Sequence, residues 1–139
     1  MRALLAVALG GLLGTGLRLA CDLAFPHADG ELPVETLIVN LLGAFALGWL
    51  VGGLWTRPAI PDWLKAGLGS GLIGSFTTLS AVMASLLVLT REGEEWLAAL
   101  YLLVSVIGGL VLAAAGLKLG SRLAHRPMPH EVSDAGATL

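Results

Sequence analysis

The residues best able to do chemistry lie in one apolar stretch: Gly67, Gly69, Gly71 and Gly74, followed by Ser75-Phe76-Thr77-Thr78-Leu79-Ser80. Glycine weakens helix continuity, and hydroxyls can replace lost backbone hydrogen bonds. A helix interrupted there exposes carbonyl oxygens that can hold a small cation, and amides or hydroxyls that can donate to an anion. The same residues also suit a tight helix-packing site with hydroxyls bonded back to the preceding turn. Spacing leaves both readings open.

Three further groups accompany this segment. Asn40 is an amide in an apolar run, where an unpaired polar group is costly, so it must bond another helix or face a polar path. Tyr101 and Ser105 stand four apart, which puts both hydroxyls on one helical face. Arg18 ends a Gly-rich segment; it can snorkel to the headgroups or supply positive charge to an anion vestibule. No carboxylate pair, nucleophile–base arrangement or Cys/His cluster falls inside an apolar segment. Hydrolytic and redox chemistry therefore have no candidate residues, and the chain is not expected to be an enzyme. A proton-coupled pump would place an acid within the membrane; Glu35, the nearest, sits at a segment edge.

The elements that must position these groups are long and apolar. Of 139 residues, 56% are hydrophobic and 13% charged, against about 25% charged in a soluble domain. Four apolar stretches, about 3–23, 34–55, 63–90 and 96–119, each reach the roughly 20 residues that cross a bilayer core. The expectation is an all-α membrane protein of four transmembrane helices, the third broken near the midplane. Residues 1–119 form the membrane domain, and 120–139 a polar, disordered tail. Tail histidines His125 and His130 read as solvated rather than as metal ligands, and Cys21 as a small apolar filler. Net charge is −2, which offers nothing to nucleic acid.

Pairs of glycines four apart (Gly10/Gly14, Gly48/Gly52, Gly67/Gly71, Gly116/Gly120) put small residues on one face and suit close helix packing in lipid. Trp49, Trp55, Trp63 and Trp96 fall mostly near segment ends, as interfacial anchors do. Of the 8 Lys and Arg, Arg2, Arg57, Lys65, Lys118, Arg122 and Arg126 share one side, against Arg18 and Arg91. This bias places both termini in the cytoplasm. Four helices enclose little pore, so a transporter of this size works as an oligomer.

These segments resemble the Fluc/CrcB fluoride channels. Gly10-Gly11 through Arg18 is similar to the first-helix pattern. The run Thr36-Leu-Ile-Val-Asn40-Leu-Leu-Gly43-Ala-Phe45 is similar to the second, Gly71 through Ser80 to the third-helix signature, and Tyr101, Ser105 and Gly108 to the fourth. The resemblance implies passive export of cytoplasmic fluoride across the cell's inner (plasma) membrane by an antiparallel dimer. It implies a structural, untransported sodium ion (Na+) held by the carbonyls of Gly74 and Thr77. It also implies an ion pathway along Asn40, Ser80, Tyr101 and Ser105, with Arg18 at a vestibule. The chain departs from the family pattern at Leu79 and Val82, where Phe is usual, at Ala81 for Thr, at Ser75 for Gly, and at Glu35 for Gly. The partner is a second copy or an oppositely oriented homologue. The alternative function is a non-conducting or altered-selectivity subunit paired with such a homologue.

Overall fold

The computed structural model describes residues 1–25 and 32–124. Four helical stretches are long and apolar enough to cross a membrane: Arg2–Ala24, Val34–Leu54, Asp62–Arg91 and Glu95–Ala124. No strand occurs among the described residues. Helices meet the demand that every backbone polar group be satisfied without water, and the sequence supplies Leu, Ala and Val in abundance to face lipid.

The packing is inside-out compared with a soluble bundle. In the first span the only buried residues are Gly10 and Gly14, while Leu5, Leu9, Leu12 and Leu13 point outward. A Cβ on Gly10 would lie 2.9 Å from the Leu72 backbone nitrogen, and one on Gly71 would lie 2.8 Å from the Val7 carbonyl oxygen. The second and fourth spans meet in the same way: a Cβ on Gly116 would lie 2.9 Å from the Trp49 nitrogen, and one on Gly120 would lie 2.7 Å from the Gly53 nitrogen. All four glycine pairs thus serve helix packing, joining the first span to the third and the second to the fourth.

The third span changes partners midway. Its first half, 62–76, packs on the first span, and its second half, Leu79–Arg91, on the fourth. Gly67–Ile73, just before the change, is wound as a wider π-helix, a form that recurs at functional sites. Leu50–Leu54, closing the second span, is wound likewise.

Two expectations are corrected in detail. The fourth helix runs to Ala124, so the boundary placed at Gly120 falls inside it. Gly120 is buried against the second span and belongs to the packing seam, which the helix must carry past it. The rest of the expected tail, 125–139 with both of its histidines, lies outside the described residues. Trp49, Trp63 and Trp96 are exposed as anchors should be. Trp55 instead packs over Gly69, where a Cβ would come within 2.7 Å of its ring.

Candidate functional site at the break in the third span

The third helix stops at Phe76. Thr77 (φ −84°, ψ 156°) and Thr78 (φ −151°, ψ 125°) are extended, and helix resumes at Leu79. β-Branched threonines accept this backbone readily. Both the amide and the hydroxyl of Thr77 donate to the Ile73 carbonyl, at 3.0 Å each, which closes the first half-helix. The Thr77 methyl fits against Gly43 of the second span, where a side chain would strike it.

Asn40 holds the break open. Its Nδ2 donates to the Thr78 carbonyl at 2.9 Å, and its Oδ1 accepts from the Thr78 amide at 2.7 Å. An amide carries one donor and one acceptor on the same edge, as a β-strand neighbour does, so it matches the exposed peptide edge of an extended residue. The Thr78 hydroxyl accepts from the Ala81 amide at 3.2 Å, capping the second half-helix, and pairs with the Ser80 hydroxyl at 2.9 Å.

Two carbonyls are set apart by these bonds. In an unbroken helix the Gly74 carbonyl would accept from the Thr78 amide, and the Thr77 carbonyl from the Ala81 amide. Here Asn40 takes the first donor and the Thr78 hydroxyl the second. Gly74 and Thr77 both line an open cavity of about 460 Å³ together with Asn40, Thr78, Leu79, Val82 and Ser105. No lining residue is charged. Among the described residues no His/Cys/Asp/Glu cluster can hold a metal, so a cation at the break would rest on neutral oxygens.

The other expected site residues divide. Ser80 joins the break through Thr78. Tyr101 is 2% exposed, and its hydroxyl and that of Ser105 are buried without a hydrogen-bond partner. Arg18 stands apart, in a cavity of about 230 Å³ lined also by Asp22, Glu35, Thr36 and Ser85; its Nε lies 3.9 Å from Asp22 Oδ2. Leu79 and Val82 both line the break cavity, Leu79 at 72% exposure and Val82 at 4%. The sequence places Thr78 in the motif but gave it no role of its own, whereas its backbone and hydroxyl organise both sides of the break. Its signal was its place after Thr77, where a helix restarting needs a cap. Replacing Thr78 by alanine is expected to lower stability by about 1 kcal/mol, with serine restoring most of it, as measured by unfolding in mixed detergent.

Fold and site together define a multi-pass membrane protein whose third span is unwound where it meets a cavity and a neighbouring helix. The chain belongs to the CrcB family: the profile described as "CrcB-like protein, Camphor Resistance (CrcB)" matches residues 5–117. Among curated relatives, it is 35% identical to "Fluoride-specific ion channel FluC 1" of Desulfitobacterium hafniense (strain Y51) over 112 residues, covering 81% of this chain and 97% of that protein. It is 39% identical to "Fluoride-specific ion channel FluC 2" of Listeria innocua serovar 6a (strain ATCC BAA-680 / CLIP 11262), covering 89% and 95%. It is 41% identical to "Fluoride-specific ion channel FluC" of Azotobacter vinelandii (strain DJ / ATCC BAA-1303), covering 83% and 94%.

Proposed function

We propose that this chain is a subunit of a fluoride channel that releases cytoplasmic fluoride passively down its gradient. One observation carries the reading. Asn40 and the Thr78 hydroxyl take the helical donors of the Gly74 and Thr77 carbonyls, and both residues line an uncharged cavity beside Ser105. Relatives named fluoride-specific ion channels, at 35% identity and above over most of the chain, support it.

Fluoride is small and strongly hydrated, so it enters oil only where donors stand close enough to replace its water. The remaining Asn40 N–H and the hydroxyls of Ser80, Tyr101 and Ser105 are assigned that task. Arg18 is the cation at the far mouth. A structural sodium ion rests on the Gly74 and Thr77 carbonyls, two from each of two antiparallel chains. Such hard, neutral oxygens suit it, and its charge lowers the cost of bringing anions to the midplane. The chain sits in the inner (plasma) membrane with both termini cytoplasmic.

The Lys/Arg bias fixes one orientation, and the cavity wall carries Leu79 and Val82 where the family pattern has aromatic rings. Both features favour an oppositely oriented homologue as partner, one that supplies the rings. The test is efflux from liposomes, following fluoride and chloride separately, with this chain alone and with a candidate homologue. The reading expects fluoride release far above chloride, strongest with the homologue present. Robust fluoride flux from this chain alone makes a second copy the partner. Equal chloride flux, or no flux in any pairing, overturns the channel reading.

A further inference from the structure

Trp55 is the tryptophan that does not behave as an interfacial anchor. It is partly buried, and its ring covers Gly69 of the third span so closely that a Cβ there would lie 2.7 Å from Cζ2 and 2.8 Å from Cη2. Its indole N–H is buried without a hydrogen-bond partner. A buried tryptophan ordinarily gives that N–H an acceptor, so the ring is held here for its shape.

Both π-helical stretches meet at this contact. The Trp55 amide donates to the Leu50 carbonyl, five residues back, at 2.9 Å, and this bond places the ring. On the facing span the Gly74 amide shares its proton between the carbonyls of Gly69, also five residues back, and Gly71. Neither is Ser70, the acceptor an α-helix would use. The residue under the indole is therefore one that sets the winding of Gly74, and Gly74 lines the break cavity. The segment has little winding preference of its own, because its four glycines weaken any helix. Gly67 and Gly71 lie against Ala6 and Val7 of the first span. The Gly69 face is left for Trp55 to fix.

We propose that Trp55 is a positioning residue: its indole, wedged over Gly69, holds the third span in π winding and so sets the Gly74 carbonyl toward the break cavity. What this does for a cation rests on the channel reading above, whereas the wedge itself does not. The pair also explains why a bulky ring and a bare glycine stand opposite each other. Either partner changed alone spoils the fit, and the two changed together restore it.

The test uses the purified assembly with its partner in place and two readouts. The first is the half-saturating sodium concentration for the rise in melting temperature, titrated against N-methylglucamine at constant ionic strength. The second is amide hydrogen exchange over residues 70–77, followed by mass spectrometry. Gly69→Ala drives its Cβ into the indole and is expected to raise the half-saturating sodium about tenfold. Trp55→Phe lacks the six-membered ring that touches Gly69 and is expected to raise it several-fold. Exchange is faster in both. The combined Gly69→Ala/Trp55→Phe variant returns to within about threefold of wild type in both readouts, since the added Cβ fills the space the indole leaves. If Gly69→Ala does not fold, Trp55→Phe decides by the same readouts. Unchanged exchange in Trp55→Phe overturns the proposal. So does melting lowered equally in both salts with the half-saturating sodium unmoved, or a combined variant no better than the worse single one. If exchange quickens and recovers as stated while no protein responds to sodium, the sodium reading fails and the wedge stands.

Discussion

Asn40→Ala is expected to abolish fluoride efflux while the protein still inserts in the membrane. The variant removes two hydrogen bonds at once, of 2.9 and 2.7 Å, both to the Thr78 backbone. Each leaves a peptide group without a partner where water is scarce, at about 1–3 kcal/mol per group. The chain then has one inexpensive escape. The Thr78 amide can return to the Gly74 carbonyl and the helix can close over the break, which withdraws an oxygen from the cavity. A fall in flux on the order of a hundredfold or more follows from a penalty of that size. Asn40→Asp separates the two bonds, since an ionised carboxylate accepts from the Thr78 amide but cannot donate to its carbonyl. It too is expected to lose conduction, and to cost more by placing a charge in the membrane. The measurement is a fluoride-electrode efflux assay at matched protein per liposome. Flux within a few-fold of wild type in Asn40→Ala shows that the clamp does not matter.

The largest loss of stability is expected from Gly116→Leu. A Cβ at this position would strike the carbonyl oxygen of Phe45 and lie 2.9 Å from the Trp49 nitrogen. The obstacle is helix backbone and cannot rotate away. The second and fourth spans must separate, and with them goes the close contact that stands in for hydrophobic driving force in lipid. Overpacking of a well-filled core costs about 1–3 kcal/mol. Here the whole helix pair is displaced, so the expected result is little or no folded protein recovered from membranes, read by gel filtration in mild detergent. Gly16→Ala is the control. Nothing lies within 4 Å of a Cβ there, and alanine favours helix by up to about 1 kcal/mol, so recovery should equal or exceed wild type. Equal recovery of the two variants would show that the seam is not what holds the spans together.

The fold was largely legible because lipid imposes simple rules. Spans of about 20 apolar residues must be helices, and glycines four apart mark where helices touch. The interruption was legible only in part, since Gly67 to Gly74 followed by four hydroxyl residues suits a tight packing site as well as a broken helix, and the family resemblance tipped the reading to the break. What the sequence left open was how each polar group is used. Asn40 read equally as pore lining or as helix glue. The structure has it bonding a single residue, Thr78, with both ends of its amide, a pairing that depends on where the backbone becomes extended. Arg18 read as a snorkelling or vestibule charge; Asp22 lies one helical turn further along the same span, and Glu35 joins their cavity only once two spans pack side by side. The fourth helix was cut short at Gly120 by composition. Packing carries it on, because Gly120 is a contact residue rather than a terminator.

The proposed channel requires the Gly74 and Thr77 oxygens, deprived of helical donors by the Asn40 clamp and the Thr78 cap, to be available to a cation between two chains. Melting of the purified assembly in sodium chloride against N-methylglucamine chloride at equal ionic strength tests this without relying on flux. The account predicts a higher melting temperature in sodium, with the difference abolished in Asn40→Ala. Identical melting in the two salts, for an assembly with its partner in place, would contradict it.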